Sequence, residues 1–341
     1  MANKKCTLES VVIMSSEFWY SRRVFVTGAT GIVGSWLVKE LLEKGANVVA
    51  LIRDADPQSE LYRSGDINKI SVVNGSLEDF YALKRVLNEQ EIETVFHLGA
   101  QTIVGAAYRD PFHTFEVNIR GTYNLLEACR INSDLVKRVV VASSDKAYGD
   151  SKLLPYTEDM PPLGKHPYDV SKSCTDLIAQ TYYHTYKLPI LIARCGNIYG
   201  GGDLNWSRII PGTIQSLFAG NRPIIRSDGT FIRDYIYVRD AVNAYILMAE
   251  ALDRSEVQGE AFNFSPAQPR TVIEIVNIIR QLMNKENIEP LILNQAKAEI
   301  RDQYLSSQKA EQILGWFPLY SLEKGLSETI IWYEKFFGKS A

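Results

Sequence analysis

The sequence predicts an α/β protein, a doubly wound parallel sheet followed by a smaller mixed α/β region. Three observations carry this. Short, near-continuous Val/Ile runs alternate with longer amphipathic stretches through the first half. A glycine-rich turn joins the first apolar run to the first amphipathic stretch. After about residue 194 the alternation breaks, with glycines at 200–202 and Pro211, Pro223, Pro266 and Pro269 punctuating short segments.

Taken in order, Arg23–Thr27 (RVFVT) reads as a buried strand. Residues 34–44 read as a helix with Leu37, Leu41 and Leu42 on one face, ended by Gly45. Asn47–Ile52 (NVVALI) is the next strand, 70–73 another, and a helix runs through 83–87. Residues 94–98 (TVFHL) form a strand, 114–130 a helix, and Arg138–Ala142 (RVVVA) a strand. A long helix over 169–186 and a strand over 190–193 (ILIA) complete the regular part. Beyond it, helices are expected at 241–252 and 272–283. The irregular region is expected to sit over the carboxyl edge of the sheet, where doubly wound sheets bind ligands.

The chain has 341 residues, 46% hydrophobic and 23% charged, which excludes disorder, collagen-like repeats or coiled coil as descriptions of the whole. A net charge of −3 gives no electrostatic case for nucleic acid or an anionic membrane. Cys6, Cys129, Cys174 and Cys195 are scattered without CxxC spacing, so neither a disulfide framework nor a zinc site is expected, and a reducing, cytoplasmic setting is. His97, His113, His166 and His184 have no metal-ligand spacing, and no metal is expected. No apolar run approaches the roughly 20 residues needed to cross a bilayer. Residues 1–22 read as an extension, within which Met14 is a candidate start and 11–14 is too short for a signal peptide.

The turn after the first strand is Gly28-Ala29-Thr30-Gly31-Ile32-Val33-Gly34. Glycine allows a tight turn and close backbone approach, and the following helix offers free N–H groups to a pyrophosphate. After the second strand stand Arg53 and Asp54. The carboxylate suits the 2′-hydroxyl of NAD, and the guanidinium would suit the 2′-phosphate of NADP. Further on, Tyr168-Asp169-Val170-Ser171-Lys172 puts a phenol and an ammonium four residues apart on one helix face. A tyrosine of pKa about 10 is a poor base at neutral pH. A lysine one turn away stabilises its phenolate.

These motifs in this order resemble the extended, nucleotide-sugar branch of the short-chain dehydrogenase/reductase superfamily, the NAD-dependent epimerase/dehydratase family. The resemblance spans residues 17 to about 335. It implies a Rossmann-like domain at 23–193 and a mainly substrate-binding region at 194–341, parts of which, such as 231–250, return to the first domain. It implies an oxidising triad of Ser144, Tyr168 and Lys172. It also implies a cofactor site of Gly28, Thr30, Gly31, Ile32, Val33, Gly34, Arg53, Asp54, Ser76, Leu77, Leu98, Ala100, Tyr168, Lys172, Cys195 and Ile198.

The residues after Ser144 are Asp145-Lys146. Family 4,6-dehydratases usually carry Asp-Glu there, acid and base for water loss, and epimerases carry small or apolar residues. Asp-Lys is similar to the CDP-glucose-type dehydratases. So are Phe96-His97-Leu98-Gly99-Ala100-Gln101, the run from Cys195 through Asn197 and the glycines to Asp203, and Arg208-Ile209-Ile210-Pro211. Gln101, Ser144, Asn197, Arg208, Arg233 and Arg301 are the implied substrate residues, with Asn197, Arg233 and Arg301 for the diphosphate. A tight Asp145–Lys146 pair would make Asp145 a worse acid, so Lys146 must sit away from it or itself move protons. Departures are Gly75-Ser76-Leu77, which lacks the family's acid, and Phe231–Val238, which resembles the broader branch more than the CDP enzymes.

The reading is therefore a nucleotide-sugar 4,6-dehydratase, CDP-glucose favoured, acting by internal hydride transfer through bound NAD or NADP. The alternatives are a 4-epimerase or reductase of the same family, and a non-catalytic NAD(P)-binding regulator. The resemblance implies a homodimer through the helices at about 114–130 and 169–186.

Overall fold

The structure, a computed structural model, describes residues 17–295 and 300–338. Seven parallel strands form its main sheet: β1 (Arg23–Thr27), β2 (Asn47–Ile52), β3 (Ser71–Asn74), β4 (Thr94–His97), β5 (Arg138–Ala142), β6 (Ile190–Cys195) and β7 (Ala261–Phe264). Their order across the sheet is β7-β6-β5-β4-β1-β2-β3, so the topology reverses between β1 and β4, where such sheets bind ligands.

The near-continuous Val/Ile strands follow from burial on both faces. Val24, Val26, Val48, Ala50, Val140 and Leu191 face a core shared with α1 (Ile32–Glu43) and α6 (Val238–Ala251). Their neighbours Phe25, Val49, Val95, Val139, Val141 and Ile192 face a second core under α2 (Phe80–Glu89), α3 (Gly121–Ile131) and α4 (Pro167–Tyr186). Asp79 caps α2 by accepting from the Ala82 N–H at 3.0 Å. A third core joins α5 (Ile209–Phe218), α7 (Val272–Leu282) and α8 (Leu322–Phe336) through Ile214, Ile275, Leu326 and Tyr333. A Thr271/Glu274 capping box starts α7.

Four details differ from the sequence expectations. Strand β6 runs on to Cys195, past residue 193, and its outer neighbour is Ala261–Phe264, a segment in the irregular region where the strand–helix alternation has already broken. The helix expected over 114–130 is interrupted by a π-turn at Glu116–Arg120. Residues 17–22 are not an appendage: Trp19 is fully buried against Phe96 and its Nε1 donates to Glu250 at 2.7 Å. A lone tryptophan before the first strand has no periodic partner to announce burial. The expectations for 1–16 lie outside the described residues.

Candidate active site

The site grows from the loops that leave β1, β4, β5 and β6, four adjacent strands ending on one edge. Gly28 follows β1 with φ +73°, and a Cβ there would lie 2.7 Å from the Gly99 nitrogen and 2.9 Å from the Leu98 carbonyl carbon. At Gly34 a Cβ would come within 2.1 Å of the Gly28 oxygen. The loop is thus pressed against both the strand-β4 exit and its own helix, which only glycine allows. Gly31 is the N-cap of α1 and supplies no side-chain cap, so first-turn N–H groups remain for an anion. Thr30, Ile32 and Val33 complete this turn. These features fit a dinucleotide pyrophosphate. Gly28→Ala is expected to weaken dinucleotide binding at least about tenfold and to lower stability by roughly 1–3 kcal/mol, measured by cofactor titration and thermal unfolding.

Under the loop runs a buried relay. The Thr27 Oγ1 accepts from the Leu98 and Gly99 N–H groups at 3.1 and 3.0 Å, so its own proton goes to His97 Nδ1 at 3.0 Å. His97 Nε2 then donates to Thr122 Oγ1 (3.0 Å), which donates to the Asn118 carbonyl at 2.6 Å. Burial, helped by the Lys172 charge, holds His97 neutral with a pKa down at about 3. Between pH 6.5 and 3 the unfolded chain takes up a proton that the native imidazole refuses, so stability falls as pH falls through that window. Urea unfolding should show a His97-linked loss of about 2 kcal/mol from pH 6.5 to 5, absent in His97→Gln.

On the adenosine side, Arg53 and Asp54 follow β2 as an exposed ion pair of 2.6 Å. The two residues offered as alternatives for the ribose thus hold each other. Ser76 is partly buried and Leu77 buried. Asn124 donates to the Leu77 and Glu78 carbonyls at 3.1 and 3.0 Å, and Gly121 leaves no room for a Cβ against Leu77. Leu98 and Ala100 are partly exposed beside the glycine loop.

Strand β5 delivers Ser144-Asp145-Lys146 into a 3-10 turn, Asp145–Tyr148. Ser144 Oγ donates to Asp145 Oδ1 at 3.0 Å and accepts from the Lys146 N–H at 3.2 Å. Pro167 at the first position starts α4, putting Tyr168 and Lys172 one turn apart. Lys172 Nζ donates to the Ala142 carbonyl at 2.8 Å, and burial brings its pKa down to about 8 against the pull of Asp176. Burial pushes the Tyr168 phenol up to about 12. Arg208 and a hydrogen bond to Ser144 act the other way, and Asp145 adds to the rise. Ser144, Asp145, Lys146, Tyr168 and Lys172 are therefore gathered together.

Gln101 is fixed by its backbone. Asn118, in the π-turn, accepts from the Gln101 N–H (2.7 Å) and donates to its carbonyl (3.0 Å) and to Ser171 Oγ at 2.9 Å. Ser171 in turn donates to the Tyr168 carbonyl at 2.7 Å. Asn118 thus ties the β4 loop to the helix that carries Tyr168. Its advance signals are an asparagine inside an apolar helical pattern and the resemblance of residues 112–128 to the family's helix.

The remaining residues divide. Cys195 ends β6, its thiol pushed up to about 12 by burial, and Ile198 and Asn197 follow in a short strand paired with Tyr235–Tyr237. Arg208 N-caps α5 and pairs with Asp203 at 3.1 Å. Arg233 is buried and holds the carbonyls of Ile232, Ile300 and Arg301. Arg301 is 63% exposed and donates to Thr230 at 3.0 Å. Both flank the Phe231 ring, at 5.7 and 5.8 Å. Ser143 Oγ, Asp145 Oδ2, Asn197 Nδ2 and Gln303 Nε2 are buried without a hydrogen-bond partner.

A loop glycine array, a phenol and ammonium on one helix turn, and the Ser144-Asp145 turn at the end of β5 define a dinucleotide-dependent enzyme of the short-chain dehydrogenase/reductase superfamily. Its chain matches the GDP-mannose 4,6 dehydratase family over residues 25–329 and belongs to it. It is 31% identical to the CDP-glucose 4,6-dehydratase of Salmonella typhimurium over 336 residues, covering 94% of this chain and 93% of that one. The crystal structure of the UDP-glucose 4-epimerase of Thermotoga maritima with UDP-glucose superposes with a TM-score of 0.84 at 28% identity, over 92% of this chain and 99% of the other. The dTDP-glucose 4,6-dehydratase of Streptomyces venezuelae, solved with NAD, gives 0.84 at 26% identity over 93% and 98%. Among the described residues no group of three or more His, Cys, Asp or Glu is gathered for a metal, and no helix is long and apolar enough to cross a membrane.

Proposed function

We propose that this enzyme is a nucleotide-sugar 4,6-dehydratase that uses NAD, with CDP-glucose the favoured substrate. The observation that carries this is the buried Asp145, set directly after Ser144 and hydrogen-bonded to it beside Tyr168. An epimerase has no step that needs an acid there. The similarity to the Salmonella CDP-glucose enzyme supports the substrate.

The glycine turn and the first turn of α1 hold the pyrophosphate, Asp54 the adenosine ribose, and Lys172 the nicotinamide ribose. NADP would instead engage Arg53. When bound, NAD supplies a reversible hydride acceptor. Ser144 hydrogen-bonds the C4 oxygen, and Tyr168 takes the C4-hydroxyl proton, its phenolate stabilised by the Lys172 ammonium. The C4 ketone acidifies C5–H. Lys146 Nζ removes that proton, while Asp145 gives its own to the departing C6 oxygen, so that water leaves across C5–C6; with the hydride returned to C6 and a proton to C5, the product is a 4-keto-6-deoxy sugar and no reduced cofactor is left over. Asn197, Arg208 and Arg301 bind the diphosphate, with Arg233 holding the Arg301 segment.

Tyr123 and Ile131 on α3 and Leu177 and Tyr186 on α4 are exposed apolar residues on neighbouring helices, which supports a homodimer built through them. The unpaired thiols of Cys129, Cys174 and Cys195 support a cytoplasmic setting. Mass spectrometry of products from CDP-, dTDP-, UDP- and GDP-hexoses tests the function. A keto product one water lighter is expected, and an isomer of unchanged mass would sink it.

A further inference from the structure

From the geometry around the 3-10 turn we infer that Gln303 is a positioning residue that holds Lys146 for its work at C5. This rests on the dehydratase reading. Lys146 Nζ donates to Gln303 Oε1, across a sequence separation of 157 residues. Gln303 is fully buried.

The backbone that carries Gln303 is held on several sides. Asp302 and Gln303 pair in parallel with Ile232 and Arg233. The Arg233 guanidinium holds the carbonyls of Ile300 and Arg301. Asp234 Oδ2 accepts from the Leu305 N–H at 2.7 Å, and the Tyr156 N–H donates to the Tyr304 carbonyl at 2.9 Å. A side chain delivered from such a frame has a fixed place, and so does the ammonium bound to it.

The contact answers the question that Asp145-Lys146 poses. Among the described residues, no ion pair joins the two. The Lys146 amine is given to a neutral amide oxygen, while Asp145 accepts from Ser144. The amide oxygen fixes the direction of the amine, whose charge also acts on the nearby Asp169 carboxyl. Acid and base thus stay separate although adjacent in sequence. In the step itself the C5–H bond breaks, its proton goes to the Lys146 amine, and the electron pair flows toward the C4 ketone. The C6–O bond then breaks as Asp145 protonates the leaving oxygen.

Gln303→Met keeps the length, removes the acceptor, and also removes an Nε2 donor that has no partner, so the fold is expected to hold. With CDP-glucose in D2O, two readouts separate the steps. Single-turnover absorbance of reduced cofactor reports C4 oxidation, and deuterium at C5 reports Lys146. In the variant, C4 oxidation and KM should stay within about twofold, while C5 exchange and kcat fall roughly 10- to 100-fold, the cost of a misplaced reacting group. Equal loss in both steps shows a merely structural residue and overturns the inference, as does unchanged exchange. Wild-type enzyme that oxidises C4 without any C5 exchange overturns the dehydratase reading, and the role of Gln303 with it.

Discussion

Tyr168→Phe is expected to cut turnover by roughly 10²- to 10⁴-fold, the range for removal of a positioned general base, with dinucleotide affinity unchanged within a factor of about two. The ring stays in place, because what fixes it is the first turn of α4 and Ser171, whose hydroxyl binds the Tyr168 carbonyl rather than the phenol. Only the oxygen proposed to take the C4 proton is lost. The phenol stands near pKa 12 because burial disfavours its anion, so its use as a base depends on Lys172 one turn away. Lys172, with a pKa near 8, loses its charge as pH rises through that value. Rapid-mixing absorbance of reduced cofactor with CDP-glucose, beside a fluorescence titration of NAD, checks the prediction. Retained turnover would move the base elsewhere. Lost cofactor binding would make Tyr168 structural.

Asp145→Asn separates oxidation from water loss. The side chain keeps its shape, its Oδ1 can still accept from Ser144, and the amide nitrogen replaces Oδ2, the buried oxygen with no partner. An amide has no proton to give to a leaving hydroxyl. Oxidation at C4 should therefore proceed at close to the normal rate. Dehydration should fall by roughly 10²- to 10³-fold, so reduced cofactor builds up where the native enzyme shows little. Stopped-flow absorbance and mass spectrometry of the quenched mixture read both. A variant that makes dehydrated product at the native rate would remove Asp145 from the reaction.

Much of the sheet was legible because its causes are local. Val/Ile runs at β1, β2, β5 and β6 are buried on both faces and read as strands from composition alone. Gly28 is required by a positive φ and a close approach, and Tyr168 and Lys172 meet because helical spacing makes them meet. What escaped depends on distant partners. Gln303 reaches Lys146 through a two-residue strand pairing, which has no period to read. Strand β7 lies in the irregular region and is fixed by its pairing with β6, and Trp19 is buried by Phe96 and α6, elements far along the chain. The π-turn carries Asn118, whose hydrogen bonds run to Gln101 and Ser171, neither of them a neighbour in sequence. The motif points Arg233 to the diphosphate, and the carbonyls it also holds are visible only once residues 300–301 are brought beside it.

The dehydratase assignment is tested most directly by the mass of CDP-glucose after exhaustive turnover by the enzyme with NAD. The expected product is one water lighter than the substrate, carries a 4-ketone, and forms with no net accumulation of reduced cofactor. A product of unchanged mass with inverted C4 would contradict the assignment and make the enzyme an epimerase.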